Sequence, residues 1–222
     1  MAKPRFIFFD VGNTLLFPNR ARMLAPLPEP KHPTLQTWQA LERRTKQEFD
    51  QGLMSGKIDH SFWWTFHTYL LQQCDALDDR LRNTLVENTQ QSANWDQILP
   101  GTRDALDRIR KNYEIAVISN ADGKIDAVLG RCGICDCFAS ITDSGNVGHE
   151  KPHPAIFATA LREMKADPAE SLYVGDVYSV DYVGARDAGM DAVLFDVAGA
   201  YRGREWPRVE SLTDLETWLQ RN

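Results

Sequence analysis

Three aspartates, a lysine and a Ser-Asn pair stand where this chain turns from apolar to polar, and their types suit phosphoryl chemistry. Asp10 ends the run Phe6-Ile7-Phe8-Phe9, and Ser119 and Asn120 close EIAVISN. Asp176 closes SLYVGD, with Asp181 five residues on. Lys151 lies in GHEKPHP, just ahead of a helix that Pro152 and Pro154 help to start. Clustered carboxylates repel one another unless a cation joins them, and an all-oxygen set suits Mg²⁺. A lysine and a hydroxyl beside that ion would supply the charge and donors that a transferring phosphoryl group needs. Taken singly, each residue has a plainer reading as a turn residue, a helix cap, a surface lysine or a helix-start charge. Their joint occurrence at four successive strand-to-helix junctions points instead to one metal-assisted site.

For these residues to meet, the elements that carry them must end on one edge. A continuous apolar run that stops at a carboxylate reads as a buried parallel strand, and open α/β sheets bind ligands at the C-terminal ends of their strands. From Pro100 onward, helical and strand patterns alternate. TRDALDRIRKN, KIDAVLGRCG, HPAIFATALREMK and SVDYVGARDAGM read as helices, and YEIAVISN, CFASITDS, SLYVGD and DAVLFD as strands. TDLE at 213–216 reads as a capping box opening a last helix. This alternation implies βαβ units and a Rossmann-like α/β fold, a parallel sheet flanked by helices.

Between the first strand and this alternating region the pattern differs. FPNRARMLAPLPEPKHP, with five prolines, reads as a loop. Leu35, Trp38, Leu41, Thr45 and Phe49 then recur at helical spacing on one face. A second helix, SFWWTFHTYLLQQC, is expected to start near Asp59 or Ser61, and a third covers DDRLRNTLVENTQQ. No strand signal interrupts 34–95, which reads as a helical insert.

The 222 residues, 43% hydrophobic, suffice for one large domain or a domain with an insertion. A net charge of −6 argues against non-specific nucleic-acid binding and against an anionic membrane surface, while allowing a small phosphorylated substrate. No apolar run approaches the roughly 20 residues of a membrane span, and the four-residue run after MAKPR is too short for a signal-peptide core, so a cytoplasmic location is expected. Cys132, Cys135 and Cys137 of CGICDC lack a second ligand pair, which favours reduced, mostly buried thiols over zinc.

FDVGNTL, LPGTRDALDRIR, AVISNADG, VGHEKPHPAIF and YVGDVYSVDYVGARDAGM together resemble the haloacid dehalogenase-like hydrolases, in the branch with a helical cap inserted after the first strand. The last stretch, G-D-x4-D followed by GA and AG, is the most specific. The resemblance implies a core of residues 1–17 and 96–222 and a cap of residues 18–95 that closes over the pocket. It implies Asp10 as the nucleophile that forms an aspartyl-phosphate. Ser119 with Asn120 would hold the phosphoryl group, and Lys151 would neutralise charge on it and on Asp10. Asp10, the Gly12 carbonyl, Asp176 and Asp181 would bind Mg²⁺.

At position 12 the phosphatases of that family usually carry a second aspartate, a general acid–base group typically worth about 10² to 10⁴ in rate. Gly12 keeps the backbone carbonyl and lacks the acid. His60, His67, His149, His153 or bound water are the candidates to replace it, or the substrate carries a good leaving group such as an acyl or aryl phosphate. Family dehalogenases instead tend to have an aromatic residue at position 12 and lack the metal-type GDxxxxD. Family phosphonatases carry a small residue at position 12 and keep the metal, with a cap lysine (here Lys31, Lys46 or Lys57) that must be a neutral amine to form a Schiff base. A third reading is a binding protein that keeps the fold and has lost turnover. Arg43 and Arg44 are candidates for a substrate anion, and Phe62, Trp63, Trp64 and Phe66 for packing or a pocket wall.

Overall fold

The structure, a computed structural model, describes residues 3–54 and 62–221. The chain opens with β1 (Phe6–Phe9) and a short β2 (Leu16–Phe17), followed by helices α1 (Arg20–Met23), α2 (Leu35–Met54), α3 (Phe62–Gln73) and α4 (Asp79–Gln90). It continues through β3 (Gln97–Ile98), α5 (Thr102–Ile109), β4 (Glu114–Ser119), α6 (Ile125–Arg131), β5 (Ile141–Asp143), α7 (Ser144–Val147) and α8 (Pro154–Met164). The last part is β6 (Ser171–Gly175), a π-helical turn (Tyr178–Tyr182), α9 (Val183–Asp187), β7 (Asp191–Phe195), β8 (Arg208–Val209) and α10 (Leu212–Arg221).

Six strands form one parallel sheet in the order β5-β4-β1-β6-β7-β8. β1 lies between β4 and β6, with Phe9 in register with both Val117 and Val174. The ends of these three strands therefore share one edge, and that edge carries Asp10, Ser119 and Asp176. β1 is apolar throughout because both faces are covered. Ile7 and Phe9 pack with Leu106, Val128 and Leu215 of the flanking helices, while Phe8 packs on the other face with Ile156, Phe157 and Ala160 of α8. Phe8 is fully buried, and truncation to alanine would cost about 3–5 kcal/mol.

α2, α3 and α4 pack around Trp38, Phe66, Leu70 and Leu85, and the Asp78 side chain caps α4 by accepting from Leu81 N. β2 and β3 pair antiparallel, Leu16 opposite Ile98, which brings the chain entering and leaving this helical segment side by side. Among the described residues no helix is long and apolar enough to cross a membrane.

Several sequence expectations need correction. On α2, Trp38, Leu41 and Thr45 are buried but Leu35 is 59% exposed, and the buried surface extends to Glu42, Lys46 and Asp50. Those charges turn inward because α2 lies against the polar edge of the sheet. α10 is capped by Ser211 and not by Thr213: Ser211 Oγ accepts from Asp214 N at 3.0 Å. Glu216 instead forms a two-pronged pair with Arg108 at 2.7 and 2.8 Å. The strand expected over CFASITDS shortens to Ile141–Asp143. Only Cys137 of the four cysteines is buried, the others being partly exposed. The expected start of α3 at Asp59 or Ser61 lies outside the described residues.

Candidate active site

Lys151 is the hub of the site. Its ammonium donates to Asp10 Oδ1 at 2.6 Å, to Tyr173 OH at 2.7 Å and to Asp181 Oδ1 at 2.8 Å. Asn120 fixes the lysine's backbone from both sides: its Oδ1 accepts from Lys151 N at 2.7 Å and its Nδ2 donates to Lys151 O at 3.0 Å. Asp181 turns back under the end of β6, where its Oδ2 accepts from the backbone N–H of Asp176 and Val177 at 3.0 and 2.9 Å. The π-helical turn supplies the extra backbone for that return. Gly175 makes the approach possible, since a Cβ there would stand 2.5 Å from Asp181 Cγ. Asp10, Asp176 and Asp181 are all buried, and each offers an oxygen within 4.8 Å of the others. Ser119 is buried at the end of β4 on the same edge.

A second buried ammonium reaches the cluster from α2. Lys46 lies 2.7 Å from Asp176 Oδ2 and 2.8 Å from Glu42 Oε1, with 1% of its side chain exposed. One turn further, Asp50 Oδ1 accepts from Ser179 N at 2.9 Å and Ser179 Oγ at 2.5 Å, and Tyr201 OH donates to Asp50 Oδ2 at 2.9 Å. Arg43 and Gln47 donate to the carbonyls of Ala198 and Ala200. Residues 43, 46, 47 and 50 share one helix face, so α2 docks on the sheet edge by a polar seam. Sequence reasoning missed this seam. Glu42 and Lys46 have the spacing of a solvated surface pair, which distinguishes a buried pair only once the neighbour is known.

The electrostatics follow from burial. Desolvation pushes the Asp10 and Asp176 carboxyls well above the ordinary range, with the neighbouring aspartates adding to the shift and Lys151 and Lys46 opposing it. Burial disfavours both ammoniums, but their carboxylate partners outweigh it and hold Lys151 and Lys46 above the usual lysine value. Lys46 is thus a charged cation, unsuited to act as the neutral amine of a Schiff base. In their ionised forms, the four carboxylates paired with these two ammoniums leave two negative charges uncompensated. An oxygen-only cluster with that deficit fits a hard divalent cation.

Gly12 is covered by Trp95: a Cβ on Gly12 would meet the indole at 3.5 to 3.8 Å. Among the described residues, no histidine candidate hydrogen-bonds the aspartate cluster. His67 is fully buried and held by Thr89, and burial lowers its pKa to about 3. His149 and His153 are exposed and stacked on each other, His153 capping α8. His60 and Lys57 lie outside the described residues. Lys31 donates to the Asp75 carbonyl, Arg43 is committed to Ala198, and Arg44 lies over the Tyr69 ring. Among the aromatics, Trp63 packs on Trp95 at 5.4 Å and on the buried Phe66, Phe62 on Phe49, and the exposed Trp64 under Arg82.

A Rossmann-like sheet bearing this lysine-braced trio of aspartates belongs to the haloacid dehalogenase-like hydrolases, whose family model matches residues 4–189. The human haloacid dehalogenase-like hydrolase domain-containing protein 3 is 30% identical over 205 residues, covering 86% of this chain and 81% of that protein. In its cattle, frog and zebrafish counterparts the match spans 60% to 65% of their length. A glyceraldehyde 3-phosphate phosphatase of Methanothermobacter thermautotrophicus is 40% identical over 94 residues, 42% of each chain. Among solved structures, the magnesium-bound HAD-hydrolase YfnB of Bacillus subtilis shares the fold, with a TM-score of 0.72, 20% identity and coverage of 98% of this chain and 99% of that one.

Proposed function

We propose that this protein is a Mg²⁺-dependent phosphatase for a small phosphorylated metabolite, working through an aspartyl-phosphate on Asp10. The observation that carries this reading is the Lys151–Asp10 contact of 2.6 Å inside a buried trio of carboxylates. Asp10 attacks phosphorus, forming an oxygen–phosphorus bond as the bond to the leaving oxygen breaks. Water then attacks the same phosphorus, releasing phosphate and restoring the carboxylate. Lys151 orients Asp10 and, with Ser119, offers charge and a hydroxyl to the phosphoryl oxygens. A divalent ion held by Asp10, Asp176, Asp181 and the Gly12 carbonyl would neutralise charge on those oxygens. The helices between β2 and β3 act as the cap, with residues 18–95 as one unit and 1–17 with 96–222 as the other. Turnover belongs to the cytoplasm in this reading.

Among the described residues, Gly12 and the indole above it offer the departing oxygen no acid at that position. Acyl, aryl or enol-type phosphates, whose leaving groups need little protonation, are therefore favoured over simple alkyl phosphates. A panel of phosphorylated metabolites and acyl phosphates, assayed with and without Mg²⁺, tests the assignment. Turnover that is metal-dependent and lost in Asp10→Asn is the expected result, and no turnover across the panel would reject it.

A further inference from the structure

Lys46 brings positive charge from α2 to one oxygen of a carboxylate that the divalent-ion reading also needs. Its ammonium is 2.7 Å from Asp176 Oδ2, and Asp176 is one of the three clustered aspartates. Two cations at contact distance from one buried carboxylate repel strongly, because little solvent screens them. Glu42, one turn back on the same helix and 2.8 Å from the same ammonium, gives Lys46 a partner that does not depend on the sheet. Lys46 can therefore release Asp176 without leaving a lone buried charge. α2 stays docked meanwhile, since Asp50 remains bound to Ser179 and Tyr201, and Arg43 and Gln47 to two backbone carbonyls.

We propose that Lys46 is a tethered counter-cation that competes with the divalent ion for Asp176, so that metal binding and the Lys46-mediated docking of α2 oppose each other. The proposal rests on the metal site assigned above. Linkage makes the opposition mutual: by whatever factor Lys46 weakens the metal, the metal weakens the grip of Lys46 on Asp176. Metal binding in the absence of substrate is then partly self-limited. A purely space-filling role for Lys46 predicts no such coupling.

The test is calorimetric titration of the full chain with MgCl₂, without substrate. Lys46→Met keeps the length and removes the charge, and it is expected to bind Mg²⁺ roughly tenfold more tightly than wild type. The double variant Lys46→Met with Glu42→Gln has the wild-type net charge and leaves no carboxylate stranded beside the missing ammonium on α2. It separates direct competition from general attraction, and it serves if the single variant does not fold. Tighter binding in the double variant supports competition at Asp176, and binding equal to or weaker than wild type overturns it while leaving the metal site standing. No Mg²⁺ binding by wild type or either variant overturns the metal site and the proposal together.

Discussion

The Trp95 indole covers Gly12 through its six-membered ring, 3.5 Å from the position a Cβ would take, while its Nε1 points away and donates to Thr89 O at 2.8 Å. The ring therefore presents carbon, and no donor, beside the loop that follows the nucleophile. A carboxylate introduced at position 12 must find room around that ring. Gly12→Asp alone is expected to raise kcat/KM on alkyl phosphates by less than about tenfold. With Trp95→Leu added, the gain should approach 10²-fold, the lower end for a general acid. p-Nitrophenyl phosphate should gain less in both variants, since its leaving group is already stable as an anion. Equal gains on both substrates would show that protonation is not what the site lacks.

Asp10→Asn removes the nucleophile while preserving shape. Turnover should fall on the order of 10⁴-fold or more. Trapping by beryllofluoride should vanish as well, because that adduct forms on a carboxylate. Stopped assays and ¹⁹F NMR read the two effects separately, and substantial residual activity would remove Asp10 from the nucleophile's role.

Gly175→Ala tests the tight approach of Asp181 to the end of β6. The added methyl would stand 2.5 Å from Asp181 Cγ, so the carboxylate must move and loosen its hold on Lys151 and on the 176–177 amides. Thermal unfolding should show a loss of about 1–3 kcal/mol. Activity should drop with it. A variant as stable and active as wild type would mean that Asp181 has slack the packing does not suggest.

His67 sets a pH dependence of stability away from the site. Thr89 Oγ1 donates to Leu85 O, so it accepts from His67 Nε2 at 2.7 Å, and the ring is neutral with Nδ1 buried and unpartnered. Burial lowers its pKa from 6.5 to about 3. A depressed folded value means that stability is full above the unfolded pKa and is lost as pH falls from about 6.5 toward 3. By pH 5 the loss from this group is about 2 kcal/mol. His67→Gln should flatten that part of the acid limb in urea unfolding at pH 7 and pH 5. An unchanged slope would assign the acid sensitivity to other groups.

Much of the fold was legible because it rests on local chemistry. The unbroken apolar run of β1, the alternation after Pro100 and the Pro-led start of α8 each report burial or backbone preference within a few residues. Asp10, Lys151, Asp176 and Asp181 were legible as a group for the same reason: each follows a strand pattern, and parallel strands in one sheet end on one edge. Ser211 in place of Thr213 as the α10 cap shows the limit of such reading, since both offer a hydroxyl and only Leu212 separates them.

The parallel frame and the identity of the polar groups at its strand ends follow from residue order alone, because hydrophobic periodicity and strand polarity dictate both. Which groups from the helical segment join them depends on how the helices dock. Lys46, Glu42 and Asp50 have the spacing of an exposed face, and Trp95 reads as one more apolar residue in a connection. Their partners, Asp176, Ser179, Tyr201 and Gly12, lie roughly 80 to 150 residues away in the chain. A charge is buried or solvated according to what packs over it, and that neighbour exists only once the helices dock on the sheet.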